Sequence, residues 1–222
     1  MMKKRNKIYQ LYLELRDKYG PTEKFWPQWC AVKKTAKLRE LIAIGAILTQ
    51  RTSWHNADLA LRNLKKHKLL SLQKIAEFLN LGQLTELISS AGFYQTKPKR
   101  LYDFCSFVVG EYENLENLME EDLETARNKL LAINGIGPET ADTILLYALD
   151  KPSFVIDEYT KRLVRKRNLA ANFTRQINGL TYDYLKKLFE KNLPRDAKIY
   201  QDFHALIIVE EKGEAGSRME KI

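Results

Sequence analysis

Gly135, Ile136 and Gly137 separate an apolar-patterned stretch at 123–133 from another that begins at Pro138. With no side chains on the two glycines, a sharp turn leaves backbone N–H groups pointing outward, where the dipole of the next helix helps them hold a phosphate oxygen. Ile136 anchors such a loop inward, and Pro138 fits a first helical position, where its missing N–H costs nothing. Thr140, in the first turn of that helix, extends the candidate contact surface. The same stretch also fits an ordinary helix-turn-helix with a glycine cap, so the glycines alone do not decide between the two.

Asp157 is the second chemical feature: it ends the apolar run 153–156 and precedes the basic stretch 160–167. An aspartate there caps a helix. The dipole that orders such a cap also keeps it ionised, and Lys161, Arg162 and Arg165 follow it as cations suited to a polyanion backbone. That basic cluster equally reads as a solvated helix face.

These groups need rigid supports. Apolar residues return every three or four positions almost throughout, while alternating runs of valine, isoleucine and threonine are missing. The pattern predicts an all-α protein with helices at 7–19, 38–48, 54–63, 71–78, 81–89, 97–112, 123–133, 138–149, 157–167, 181–193 and 197–211. Gly20 and Pro21 end the first helix, Ala91 and Gly92 end another, and Pro98 suits the first turn of its successor. Residues 212–222 read as a loosely ordered polar tail.

At 222 residues the chain has room for one domain or two small lobes. Lysine and arginine outnumber aspartate and glutamate by 37 to 28, and the net charge of +9 favours a polyanionic partner such as nucleic acid. Cys30 and Cys105 lie far apart with no histidine ligands nearby, so neither a disulfide framework nor a zinc site is expected. The uncharged apolar stretch 41–50 is too short to cross a bilayer, and no signal-peptide apolar region follows the basic start. The expectation is a cytoplasmic protein, nucleoid-associated in a prokaryote, with no membrane partner.

Taken together, these residues carry a resemblance. Leu130, Ile133, Gly135, Ile136, Gly137, Thr140, Ala141 and Asp142, followed by Val155, Ile156, Asp157, Glu158, Tyr159 and Arg162, resemble the endonuclease III branch of the helix-hairpin-helix (HhH-GPD) DNA glycosylases. Residues 46–52 are similar to that family's early helix and the loop whose glutamine enters the duplex, and residues 91–100 resemble its G-x-Y-x-x-K-A segment. With residues 203–207, the likeness runs in one order along most of the chain. It implies a two-lobed helical bundle. Residues 1–37 would be a helix and aromatic segment packing with the C-terminal lobe, 38–150 a lobe ending in the hairpin, and 151–222 the lobe carrying Asp157.

Two departures sharpen the resemblance. Members that also cut the strand carry a lysine nucleophile two residues after the second hairpin glycine, and that position here is Glu139. A carboxylate cannot form a Schiff base with the sugar C1′. Typical members of the branch end in four cysteines that bind a [4Fe-4S] cluster, whereas no cysteine follows Cys105, so no cluster is expected. Both departures resemble the subgroup that removes 3-methyladenine and related alkylated purines. The implied activity is a monofunctional glycosylase of base excision repair, a monomer acting on double-stranded DNA with a damaged base. No metal or cofactor is expected, with a monovalent cation at the hairpin the one candidate ion.

Such chemistry requires the base to leave the stack. Gln50 and Arg51 are the wedge candidates, and the N–H groups of Gly135, Ile136 and Gly137 with Lys161, Arg162 and Arg165 are the backbone grip. Asp157 would stabilise the oxocarbenium-like sugar or orient the attacking water. Phe25, Trp26 and Trp29 offer aromatic surface to a cationic methylated base, although such a cluster also packs a core. Lys212 is assigned to the same pocket from its position alone. His204 reads as structural, since no metal partner is in view. Three rivals stay open: another lesion specificity on the same fold, a glycosylase-lyase in which another lysine such as Lys161 serves as nucleophile, and a noncatalytic DNA-binding protein that keeps the hairpin.

Overall fold

The computed structural model describes residues 6–170 and 181–222. Within them the helices are α1 (Lys7–Tyr19), α2 (Ala36–Leu48), α3 (Trp54–Lys66), α4 (Leu72–Ala76), α5 (Leu81–Leu87), α6 (Lys97–Tyr112), α7 (Leu115–Glu120), α8 (Leu123–Ala132), α9 (Pro138–Thr143), α10 (Glu158–Lys166), α11 (Tyr182–Asn192), α12 (Ala197–Lys212) and α13 (Glu214–Ser217). A π-helical turn, Ile144–Ala148, prolongs α9, and no strand forms among the described residues. The fold is all-α, and every helix expected from the apolar repeat is present. No helix among the described residues is long and apolar enough to cross a membrane.

Helix starts are written in short polar side chains. Thr35, Ser53, Asp157 and Asp196 each accept a hydrogen bond from the backbone N–H three residues on, satisfying a donor that has no partner inside the helix. Two helices were not anticipated. Helix α7 is capped by Asn114 and buries Leu115 and Leu118, too few residues to show a periodic apolar stripe. Helix α13 corrects the expectation of a loose tail. The Ser217 hydroxyl donates to the carbonyls of Ile208 and Gly213 at 3.3 and 2.8 Å, and the Met219 N–H donates to the Phe25 carbonyl at 2.8 Å. The polarity of that segment serves hydrogen bonds to distant backbone, which no local pattern displays.

The chain divides into two compact units, Met1–Val32 with Pro152–Glu220, and Lys33–Lys151 with Lys221–Ile222. In the first, α1 and α10 pack on α12, whose residues from Phe203 to Val209 are buried. Phe154 stacks on Phe189 at 4.5 Å and meets Tyr200 and Phe203 edge-on, and full burial of each such ring stabilises the unit by about 1.5–3 kcal/mol. In the second unit, α2 is buried along its whole last two turns from Leu41 to Leu48, as a helix apolar all round must be. Helices α3 and α6 and the turn Ile144–Ala148 enclose it. Its C-terminal end therefore has a fixed place.

Candidate functional site

In the second unit, α8 stops at Ile133, and Gly135 turns the chain with φ +85°. That angle suits glycine, and a Cβ there would fall on the Arg100 side chain. Ile136 is buried and donates its N–H to the Ile133 carbonyl at 3.0 Å, while Gly137 is exposed and caps α9, with Pro138 at its first position. Arg127 of α8 holds Asp142 of α9 through Nε and Nη2 at 2.8 and 3.2 Å. The hairpin is thus braced from both helices.

Gln50 sits on this hairpin. Its Nε2 donates to the Gly135 carbonyl at 2.9 Å and to the Thr140 hydroxyl at 3.0 Å, and its Oε1 accepts from Arg100 Nη1 at 3.0 Å. The whole amide is engaged, so Gln50 would exchange these bonds before entering a duplex. Arg51 follows with φ +51° and an exposed side chain. Gln50, Arg51, Phe93, Arg100, Ile136 and Glu139 line a cavity of about 530 Å³.

Two residues here escaped the sequence reading. Phe93 is exposed, with φ +54°, a strained conformation for an aromatic residue. The exposure of that ring beside Arg51 is the one signal of a role, and it is visible only in three dimensions. Lys97 is fully buried, and its Nζ donates to the carbonyls of Leu48, Gln50 and Ala91 at 2.9, 2.9 and 2.8 Å. Burial, with a smaller contribution from the Arg100 charge, brings it down to about 8. Three acceptors require three protons, so it serves as an ammonium clamp that fixes the end of α2 and the Gln50 backbone.

In the first unit, Asp157 is the N-cap of α10. Its Oδ1 accepts the Thr160 N–H at 2.7 Å, and its Oδ2 lies 3.5 Å from His204 Nε2. The side chain is 13% exposed. Burial opposes its ionisation, yet the His204 charge and the hydrogen bonds outweigh that and hold the carboxyl below its ordinary value. The extended segment before it is anchored by α11: Phe154 N–H donates to Glu190 at 3.0 Å, and Lys186 donates to the Ser153 hydroxyl at 2.5 Å while pairing with Glu190. His204, expected to be an isolated structural residue, faces the carboxylate instead. Its position in an apolar run hid the pairing. No cluster of metal-ligating side chains occurs among the described residues.

The basic helix is less open than its sequence suggests. Lys161 pairs with Glu158 at 2.9 Å, and Arg162 lies 3.9 Å from Glu211, whereas Arg165 makes no ion pair among the described residues. The Lys161–Glu158 pair is of the exposed kind that is weak and yields to phosphate, whereas the Glu211 side chain is buried. The aromatic segment is placed in the core. Phe25 has no accessible surface and packs edge-on to Tyr19, which corrects its assignment as a base contact. Trp26 and Trp29 are buried, and Trp26 Nε1 donates to the Ser217 carbonyl at 2.9 Å. Lys212 is exposed, with its Nζ 5.8 Å from the Tyr159 ring. The hairpin, Gln50 and Arg51 belong to the second unit, and Asp157, the basic helix, the aromatic segment and Lys212 to the first.

Residues 44–195 match the model of the HhH-GPD superfamily base excision DNA repair proteins. A protein of Methanocaldococcus jannaschii, named provisionally as a DNA repair glycosylase, is 44% identical over 203 residues, covering 90% of this chain and 85% of the relative. Endonuclease III of Thermotoga maritima is 26% identical over 164 residues, 72% of this chain and 69% of that protein. Among solved structures, the H. pylori 3-methyladenine DNA glycosylase bound to 1,N6-ethenoadenine superposes with a TM-score of 0.72 at 28% identity, covering 90% of this chain and 95% of that one. The chain belongs to the HhH-GPD superfamily of base excision DNA repair proteins and is a DNA glycosylase.

Proposed function

We propose that this glycosylase is monofunctional and hydrolyses the N-glycosidic bond of alkylated purines such as 3-methyladenine, leaving an abasic site. The observation that carries the reading is Asp157: a shielded carboxylate, held ionised and in one orientation by the first turn of α10 and by His204. As the bond breaks, its electron pair leaves with the base and positive charge grows on the sugar, which a fixed anion stabilises. Water then bonds to C1′, and its proton passes to the carboxylate or to solvent. A cationic alkylated base becomes neutral on taking the pair, so it needs no dedicated general acid.

Glu139 supports the hydrolytic route, because a carboxylate stands where strand-cleaving relatives carry lysine, and it lines the hairpin cavity. Lys97, the lysine brought to about 8, spends its protons on three carbonyls and is no free nucleophile. The alkylated-purine assignment is supported by the likeness to the H. pylori enzyme. The Gly135 and Gly137 N–H groups with Arg165 are assigned to the phosphates, the Ile136 N–H being spent on the Ile133 carbonyl, and Gln50, Arg51 and Phe93 to the space left by the flipped base. Incubation with alkylated and oxidised duplexes, followed by alkali or borohydride, tests the reading. Release of 3-methyladenine with alkali-labile sites and no borohydride adduct is expected. A trapped protein–DNA adduct, or release confined to oxidised bases, contradicts it.

A further inference from the structure

Resting on the reading of Asp157 as the catalytic carboxylate, we propose that His204 is a positioning residue for the reaction, directing its Nε2 proton at Asp157 Oδ2 to fix the carboxylate's second oxygen. The two oxygens have separate partners. The backbone of α10 holds Oδ1 through Thr160 at 2.7 Å, and α12 supplies His204 at 3.5 Å from Oδ2. Without the histidine, the carboxylate is held from Thr160 of α10 alone.

The imidazole is itself confined. Its side chain is 6% exposed, and Trp26 lies edge-on to it at 6.1 Å, with the indole tied by Nε1 to the Ser217 carbonyl. This gives the aromatic segment a function different from base stacking: it walls the histidine against Asp157. The other carboxylates on the packed elements are engaged elsewhere. Asp202 accepts from Thr22 and pairs with Lys198, Glu210 meets Lys18 and Tyr19, Glu211 meets Arg162 and Lys166, and Glu158 meets Lys161. Asp157 is the carboxylate left to this histidine, and the distance exceeds an optimal hydrogen bond, as free enzymes show before substrate tightens the site.

The test compares His204→Leu and His204→Gln with wild type and Asp157→Asn, measuring single-turnover base release against pH on a lesion that wild type excises. The leucine variant is expected to lose roughly ten- to hundred-fold in rate, and its acid limb, reporting Asp157, to move up by about one pH unit. The glutamine variant, whose amide donates but carries no charge, is expected to recover much of the rate and only part of the limb shift while DNA affinity stays constant. A purely structural role would lower stability and leave the acid limb in place. Should the leucine variant fail to fold, nitrogen NMR of wild type still decides: a protonated Nε2 is expected, and a tautomer protonated only at Nδ1 overturns the proposal. Unchanged rate and limb in both histidine variants, with Asp157→Asn inactive, sinks this inference and leaves the catalytic reading standing. Full activity of Asp157→Asn removes that reading itself.

Discussion

Arg127 and Asp142 meet in a two-point ion pair that binds α8 to α9 on either side of the glycine turn, and the Asp142 carboxylate is fully buried. Removing one member leaves a desolvated charge without its counter-ion, so Arg127→Met is expected to cost about 3 kcal/mol. Urea denaturation reads this directly. A loss below about 1 kcal/mol, the worth of an exposed pair, shows that solvent already reaches the carboxylate.

Gly135 carries the positive φ of the turn. Gly135→Ala is expected to lose about 1–2 kcal/mol from backbone strain and to push Arg100 off Gln50. Weaker binding to undamaged duplex should accompany the loss, because the Gly135 and Gly137 N–H groups depend on that turn. The same variant with unaltered duplex affinity separates the hairpin from the phosphate grip.

Lys97→Met deprives three carbonyls of their donor while filling much of the same volume. A cost of roughly 3 kcal/mol is expected, with faster amide exchange at the end of α2 and in the Gln50 loop. Exchange confined to α6, with α2 unaffected, rules out the clamp.

Glu210 accepts from Lys18 and Tyr19 at 2.7 and 2.6 Å, and those bonds, with neighbouring charges, lower it to about 2. A depressed carboxylate stabilises the fold above its unfolded value, near 4.3, and loses that contribution as pH falls toward about 2. Allowing for solvent screening, about 1–2 kcal/mol should disappear across that window in wild type. Glu210→Gln should flatten the curve there, and an equally steep acid loss in the variant assigns it to other carboxylates.

Much of this was legible because its causes are local. The bounds of α1 and α6, the Gly-Ile-Gly turn and the Asp157 cap each depend on residues within a turn of one another. What escaped depends on partners far along the chain. Lys97 reads as a first-turn lysine until the carbonyls of Leu48 and Gln50 close over it, and His204 reads as core until α12 sets it against Asp157. Phe25 shows the converse: an aromatic run resembles a binding surface when its burial is invisible.

The central claim is that Asp157 carries the chemistry, and single-turnover base release by Asp157→Asn tests it most directly. Asparagine still caps α10, so folding and duplex affinity should persist while release from alkylated DNA falls at least roughly a hundred-fold. Release at the wild-type rate by a folded, DNA-binding Asp157→Asn protein would contradict the account.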